Sequence, residues 1–249
     1  MKSSGQLSAR AALQLCTIVL ASAATGANQT TYHQAPKLAS NPTTTTRVAA
    51  TPAEQITSPS AFAQLAPVRV FNINTRQLVK ARLYDSTGRI DEAIAAKLDA
   101  LLCDSRDPDQ VQTTTINRRT LQILYRAAYH FHAHQVEVVS AYRKSNRHPE
   151  GIHAQGRAID LKLVGVDAQT LAAYLRTIPR LGVGVYTHPK TRFVHLDVRD
   201  RSFHWLDASP PHRHWRERNI STKTLAALDA QYSPGWDWPE GLVPPNSDH

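Results

Sequence analysis

The 249-residue chain carries 29 lysines and arginines against 20 acidic residues, a formal net charge of +9 at pH 7, and 41% of its residues are hydrophobic. This length allows one domain of ordinary size with tails. The basic balance indicates an anionic partner, such as cell-wall polymer, anionic lipid or nucleic acid, and charge alone does not separate the three.

The first 27 residues are typical of a secretory signal peptide. Lys2 and Arg10 form a basic start, and the following apolar run, AALQLCTIVLASA, is too short to span a bilayer comfortably. Ala21 and Ala23 then supply an A-x-A cleavage pattern. We therefore expect a periplasmic or secreted protein without a stable membrane span, the alternative being a retained anchor. The mature chain keeps one cysteine, which excludes an internal disulfide.

Composition divides the rest of the chain into three parts. Residues 28–67 are rich in Thr, Ala, Ser, Gln and Pro, and are predicted to be a disordered tether. Residues 68–205 hold the periodic segments of a folded domain. Residues 206–249 are predicted to be an irregular extension, with room for a short helix in TKTLAALDAQ. Trp236 and Trp238 in this extension could stack on a sugar, although packing against the domain is the ordinary alternative.

Within the domain, alternating residues around an Asn-Thr-Arg turn predict a β-hairpin that begins at Val68. Helical spacing of apolar residues predicts helices in DEAIAAKLDALLCD and INRRTLQILYRAAYHFHAH. VEVVSAYR is typical of a strand. DAQTLAAYLRTI begins with a capping residue, Asp167, and stops before Pro179, which predicts a helix. GVGVYT and RFVHLDVRD complete an α+β fold, with a central antiparallel β-sheet flanked by helices.

Two of these strands present polar side chains that could share a cleft. Alternation in RAIDLKL puts Asp160 opposite three aliphatic residues, and alternation in RFVHLDVRD puts His195 and Asp197 on one face. If the strands pair, Asp160 and His195 can face the same side. His153 lies on the turn before the first strand, and Gly156 allows that turn. Two imidazoles and one carboxylate are a ligand set of catalytic zinc. The alternatives are that His153 is an exposed loop residue, and that His195 is a strand residue whose ring nitrogens are hydrogen-bonded within the protein.

The same segments resemble a known family. GIHAQGRAIDL resembles the H-x-x-G-x-A-x-D signature of the zinc D-alanyl-D-alanine peptidases, whose fold is shared with the hedgehog signalling domain. FVHLD resembles the later strand, which supplies the third ligand. RLYDSTGRI, LDALLCDSRD, VVSAYRKSN and GVGVYTHPKTRFVHLDV follow in the order of the murein endopeptidase K-like branch, over about residues 68–205. The resemblance implies one Zn²⁺ ion held by His153, Asp160 and His195, and a peptidoglycan stem-peptide substrate.

Two departures from the family pattern lie at the rim of this expected site. The family usually has serine where this chain has Gly151, and the segment between AYR and GIH looks short. Both changes bear on the fit of the substrate more than on metal binding.

Two further residues are candidates for roles in catalysis. Asp197 is the candidate general base, because it lies two positions from His195 on the same face; the alternative is a partner that orients His195. Arg143, at the end of VVSAYR, can grip a carboxylate with two parallel hydrogen bonds. The resemblance implies that it binds a substrate carboxylate, and a salt bridge at the end of the strand is the alternative.

These observations favour an exported zinc metallopeptidase that hydrolyses amide bonds of peptidoglycan stem peptides or cross-links. Endopeptidase and carboxypeptidase action both stay open, as does the oligomeric state. The alternative is a non-catalytic peptidoglycan-binding or scaffold domain that retained the fold. A nucleic-acid binder is disfavoured because the chain has no helix-turn-helix, zinc finger or aromatic-rich sheet motif.

Overall fold

The computed structural model describes residues 60–103, 115–144, 150–211, 213 and 215–242. The predicted signal peptide and most of the predicted tether lie outside these residues. The helices are α1 (Ser60–Ala63), α2 (Glu92–Leu101), α3 (Arg118–His130), α4 (Ala168–Leu175), α5 (Leu225–Asp229) and a 3₁₀ helix (Pro234–Asp237). The strands are β1 (Val68–Asn72), β2 (Leu78–Ala81), β3 (Gln135–Ser140), β4 (Ala158–Leu163), β5 (Leu181–Tyr186), β6 (Val194–Val198), β7 (Phe203–Asp207) and β8 (Glu217–Asn219). None of the helices in this part of the chain has the length and hydropathy of a membrane span.

The strands form one sheet in the order β2-β1-β3-β4-β6-β5-β7-β8, which confirms the α+β class and the predicted hairpin β1–β2. The sheet is mixed, however, and this corrects the expectation of an antiparallel sheet. β1 runs parallel to β3, and β5 runs parallel to β7. The first parallel pair arises because α2 and α3 carry the chain across the sheet between these strands. The second arises because residues 199–202 connect β6 to β7 across the end of β5, which lies between them in the sheet.

The helices begin where the sequence supplies a capping side chain. Asp91 accepts hydrogen bonds from two backbone N–H groups at the start of α2, and Asn117 accepts one at the start of α3. The predicted cap of α4 is also present, since the Asp167 carboxylate accepts a 3.0 Å hydrogen bond from the backbone N–H of Thr170. Each cap satisfies N–H groups that the first helical turn leaves without an intrahelical partner.

The two faces of the sheet differ in the way that the alternation predicts. One face contributes aliphatic side chains such as Ile159, Val183 and Leu196, which are fully buried in a core with residues of α2, α3 and α4. The opposite face carries Asp160 and His195. Burial of the aliphatic face fixes which side chains point away from the helices, because a one-residue shift of a strand would exchange its faces.

Residues 60–67, which were predicted to belong to the tether, are part of the folded domain. They contain α1, whose Phe62 is 6% exposed and packs edge-on against Trp238, with a ring-centroid distance of 5.6 Å. Phe62 also contacts Tyr84, whose ring stacks on Trp238 at 4.9 Å. Phe62, together with the partly buried Leu65, therefore anchors this segment to the core.

The extension beyond residue 205 is also more regular than the sequence indicates, because it contains the end of β7, β8, α5 and the 3₁₀ helix. Its last part is tied to α3 by the buried guanidinium of Arg126. This group donates hydrogen bonds to the carbonyl oxygens of Trp236 at 2.8 Å and Trp238 at 2.7 Å, and to the Tyr174 hydroxyl at 3.0 Å. Both tryptophans pack against the core, which is the ordinary alternative for them.

Replacing Arg126 by methionine is expected to lower the free energy of unfolding by about 3 kcal/mol, because charged hydrogen bonds to buried acceptors are lost. Urea unfolding followed by circular dichroism measures this change. Lys97→Met, at an exposed position of α2, is the matched control and is expected to change little. Equal effects of the two substitutions would contradict the anchoring role of Arg126.

Stability is also expected to depend on pH through His204, a residue of β7 that is 5% exposed. Burial, aided by the nearby Arg176 guanidinium, lowers the pKa of His204 from 6.5 to about 4. Between these values the unfolded chain binds the proton and the folded chain does not, so the free energy of unfolding falls as the pH drops. His204→Phe removes this contribution, and its melting temperature should fall less between pH 7 and pH 4 than that of the wild type. Parallel melting curves for the two proteins would contradict the assignment.

Candidate metal centre

Three side chains from separate segments meet on the open face of the sheet. Asp160 lies in the middle of β4, His195 lies in β6, and the antiparallel pairing of these strands sets the two residues directly opposite each other. Opposite residues of an antiparallel pair project to the same face, so the predicted shared face of Asp160 and His195 is confirmed. His153 reaches them from the turn that precedes β4.

The donor atoms are close enough to share one cation. His195 Nδ1 lies 2.9 Å from Asp160 Oδ1, and His153 Nε2 lies 3.3 Å from His195 Nδ1 and 3.6 Å from Asp160 Oδ1. Ligands placed about 2.0–2.1 Å from a tetrahedral zinc ion are roughly 3.3 Å apart, so the spacing fits this metal. Among the described residues, this is the one group of three or more potential ligands that converges in this way.

The turn that carries His153 depends on a glycine. Gly156 has a φ of +65°, a conformation that other residues adopt only with strain. Its N–H donates to the carbonyl of His153 at 3.1 Å, and its own carbonyl accepts a 2.9 Å hydrogen bond from the N–H of Asn117. The start of α3 therefore holds the turn in place.

The orientation of the His153 ring is set by the backbone of the segment after β3. His153 Nδ1 lies 2.7 Å from the carbonyl oxygen of Ala141. A carbonyl oxygen can only accept, so the proton is on Nδ1 and the lone pair of Nε2 faces Asp160 and His195. Hydrogen bonds of this kind to the second ring nitrogen are typical of metal-binding histidines.

The second ring nitrogen of His195 faces a different carboxylate. His195 Nε2 lies 3.0 Å from Asp197 Oδ2, and the Asp197 side chain is completely buried. Arg199 pairs with the same carboxylate, with its Nε 2.6 Å from Oδ1 and its Nη2 in contact with Oδ2. Asp197 therefore contacts the side of the His195 ring away from Asp160, rather than the space between the three converging groups.

The buried charges at the centre compensate one another. Burial opposes ionisation of Asp160, yet hydrogen bonds from His153 and His195 hold the pKa of this carboxyl well below its usual range. Burial also opposes the imidazolium of His195, yet hydrogen bonds to Asp160 and Asp197 raise its pKa to about 9. The carboxylates thus favour positive charge at this position, and a divalent cation could supply it on displacing the proton.

Two glycines of β5 provide the space that these groups occupy. Gly182 is paired with Asp197, and Gly184 is paired with His195. A Cβ atom on Gly182 would overlap Asp197 Oδ2 and Arg199 Nη2, and one on Gly184 would overlap the indole of Trp205. The G-x-G spacing in GVGVYT is the available signal in the sequence, but strand periodicity alone does not indicate which side chains these glycines make room for.

Aromatic residues line one side of the centre, and sequence reasoning missed them. The Trp205 ring lies 4.9 Å from the His195 ring, and Tyr186 stacks on Phe193 at 4.2 Å. Burial, together with the charge of Asp160, raises the pKa of Tyr186 to about 12. The hydroxyl therefore stays protonated at neutral pH.

Arg143 lies at the rim of the centre. Its backbone N–H is 3.4 Å from the carbonyl oxygen of His153, and its side chain is exposed. The structure thus brings His153, Asp160 and His195 together, and puts Asp197 behind His195. It leaves the guanidinium of Arg143 accessible from solvent.

Comparison with known proteins gives one match. A family model described as peptidoglycan L,D-endopeptidase MepK matches residues 60–205, which is more than half of the chain. The matched region contains all three converging residues and ends within β7, so β8, α5 and the 3₁₀ helix lie beyond it. No curated protein and no solved structure matches significantly.

Gly182→Ala is expected to weaken zinc binding by about 10- to 100-fold, because the added methyl group displaces the carboxylate that orients His195. Competition with a zinc-binding dye measures the affinity, and thermal unfolding of the zinc-free protein reports stability separately.

The matched control for this substitution is Gly235→Ala, where an added Cβ atom would meet only Ser233 Oγ at 3.6 Å. A Gly182→Ala protein with lower stability but unchanged zinc affinity would contradict the positioning role of the Asp197–Arg199 pair.

Proposed function

Because the chain belongs to the peptidoglycan L,D-endopeptidase MepK family, we propose that it is a zinc-dependent metallopeptidase acting on peptidoglycan stem peptides or their cross-links. The family supplies the class of reaction and of substrate. The observation that carries the metal is the convergence of three donor atoms from His153, Asp160 and His195.

One zinc ion would be held by His153 Nε2, Asp160 Oδ1 and His195 Nδ1. Ala141 contacts Nδ1 of His153, and Asp197 contacts Nε2 of His195. The other nitrogen of each ring therefore faces the three converging groups. Two nitrogen donors and one oxygen donor are typical of catalytic zinc sites, which keep a fourth position for water or substrate. When bound, zinc polarises the scissile carbonyl and lowers the pKa of a bound water from about 15.7 towards 7.

Asp197 has a positioning role in this proposal rather than that of general base. Both of its oxygens are engaged, one by Arg199 and the other by His195 Nε2 and Arg199 together, and its side chain is completely buried. A general base must reach the proton that it removes, directly or through one water. The buried carboxylate instead holds the His195 ring, so that Nδ1 is presented to the metal.

Recognition of the substrate is assigned to the rim and to the aromatic side of the centre. Arg143 would bind a carboxylate of the stem peptide, since its guanidinium is exposed and its backbone N–H is hydrogen-bonded to the carbonyl of His153. The Tyr186 hydroxyl, which keeps its proton, would donate a hydrogen bond to a substrate carbonyl beside Asp160. Trp205 excludes water from the adjoining side of His195.

We favour endopeptidase action on cross-links over removal of a terminal residue, in line with the description of the family. Such a substrate lies outside the cytoplasm. Export through a signal peptide in residues 1–27 is the route that we propose.

The test compares the wild type with His153→Ala in zinc content and in digestion of purified muropeptides. The wild type should hold about one zinc ion per chain and release shorter peptides in a reaction that a chelator stops. His153→Ala should lose the metal and about a thousandfold or more in rate, because several kcal/mol of charge stabilisation depend on the ion.

His134→Ala, which removes an exposed imidazole at another site, is the control and should retain both properties. Wild-type protein that binds zinc but cleaves none of a panel of cross-links would instead support the scaffold alternative.

A further inference from the structure

Trp215 is an exposed aromatic residue that the proposed chemistry does not use. It is 61% exposed and, with Leu78 and Val164, is one of three large hydrophobic side chains in the described residues that face solvent. The two tryptophans that the sequence offered for stacking on a sugar, Trp236 and Trp238, pack against the core instead. Tryptophan is enriched at binding interfaces, because its large ring is apolar and its indole N–H can donate a hydrogen bond.

The β7–β8 hairpin connects Trp215 to the strand that flanks the metal centre, since Trp205 of β7 lies beside His195. Trp205 is paired with Asn219, and the ladder continues past β7 through a 3.2 Å hydrogen bond from the Ala208 N–H to the Arg216 carbonyl. Trp215 lies in the turn that joins the two strands, four residues before Asn219.

The surroundings of Trp215 are basic. The guanidinium of Arg216 lies 4.3 Å from the centroid of the indole ring. Arg213 and Arg218 are exposed on the same hairpin. Glu217 is the one carboxylate among residues 213–218. Arg216 covers one face of the indole and leaves the other face for a ligand. The family match ends at residue 205, so this surface lies outside the matched residues.

We propose that Trp215 and Arg216 form a subsite for the sugar strand of peptidoglycan. The free face of the indole stacks on the apolar face of a pyranose ring, and the guanidinium donates hydrogen bonds to an acetamido or carboxylate oxygen beside it. The subsite rests on the proposed function for its ligand class.

A lipid surface fits these observations less well than a sugar strand. Leu78 lies on β2, at the opposite edge of the sheet from β8, and Val164 follows β4. The exposed apolar side chains of the described residues therefore do not form one patch that could enter a bilayer. A single aromatic ring flanked by guanidinium groups suits one ring of a polar, partly anionic polymer.

Binding of peptide-free glycan strands to the full chain tests the subsite without any hydrolysis. Isothermal calorimetry should show Trp215→Ala binding about tenfold more weakly than the wild type, while Trp215→Tyr keeps most of the affinity because it retains an aromatic face. Leu78→Ala, an exposed apolar residue at the other edge of the sheet, is the matched control and should bind like the wild type. The indole N–H resonance that is missing in Trp215→Tyr should shift when wild-type protein is titrated with glycan.

Unchanged affinity in Trp215→Ala overturns the proposal, and so does an equal loss in Trp215→Tyr. Binding to anionic phospholipid vesicles that depends on Trp215, with none to glycan, overturns it in favour of a membrane. The result is separate from the test of peptidase activity. A chain that cleaves no muropeptide yet binds glycan through Trp215 supports the subsite, and an active enzyme whose glycan binding ignores Trp215 refutes the subsite alone.

Discussion

The pairing register of β4 with β6 is the constraint on which the candidate site depends. It sets Asp160 opposite His195 on the face of the sheet that the helices leave open. Burial of the aliphatic residues that alternate with them along each strand enforces this register. A slip of one residue would carry charged groups into the core and aliphatic groups out of it. The hydrophobic core therefore determines which side chains lie together on the opposite face of the sheet.

Parts of the chain that do not touch the converging atoms hold them in position. The backbone carbonyl of Ala141 fixes the ring of His153, and the buried Asp197–Arg199 pair fixes the ring of His195. Gly182 in β5 leaves room for that pair. Asp160 and Asp197 both contact the buried His195 ring, which favours positive charge there and makes zinc a physically consistent occupant.

Periodicity in the sequence was sufficient to predict β1 to β6, α2 to α4 and the shared face of Asp160 and His195, since the periods of strands and helices are local information. It did not predict α1, β7 or β8. It could not predict the mixed sheet, which depends on where the helices return the chain. Nor could it distinguish whether Asp197 is a general base or a residue that orients His195. Alternation determines the face of a residue and not which ring nitrogen it contacts. The anchoring of Trp236 and Trp238 by Arg126 joins residues more than 100 positions apart, and no local pattern reports such a contact.

The most direct measurement of the central claim is a crystal structure of the zinc-loaded protein, with anomalous diffraction recorded on both sides of the zinc absorption edge. The account predicts one strong anomalous peak bonded to His153 Nε2, Asp160 Oδ1 and His195 Nδ1, with Asp197 still bonded to His195 Nε2. A peak bonded to His195 through Nε2, or zinc bound elsewhere with these three side chains apart, would contradict it.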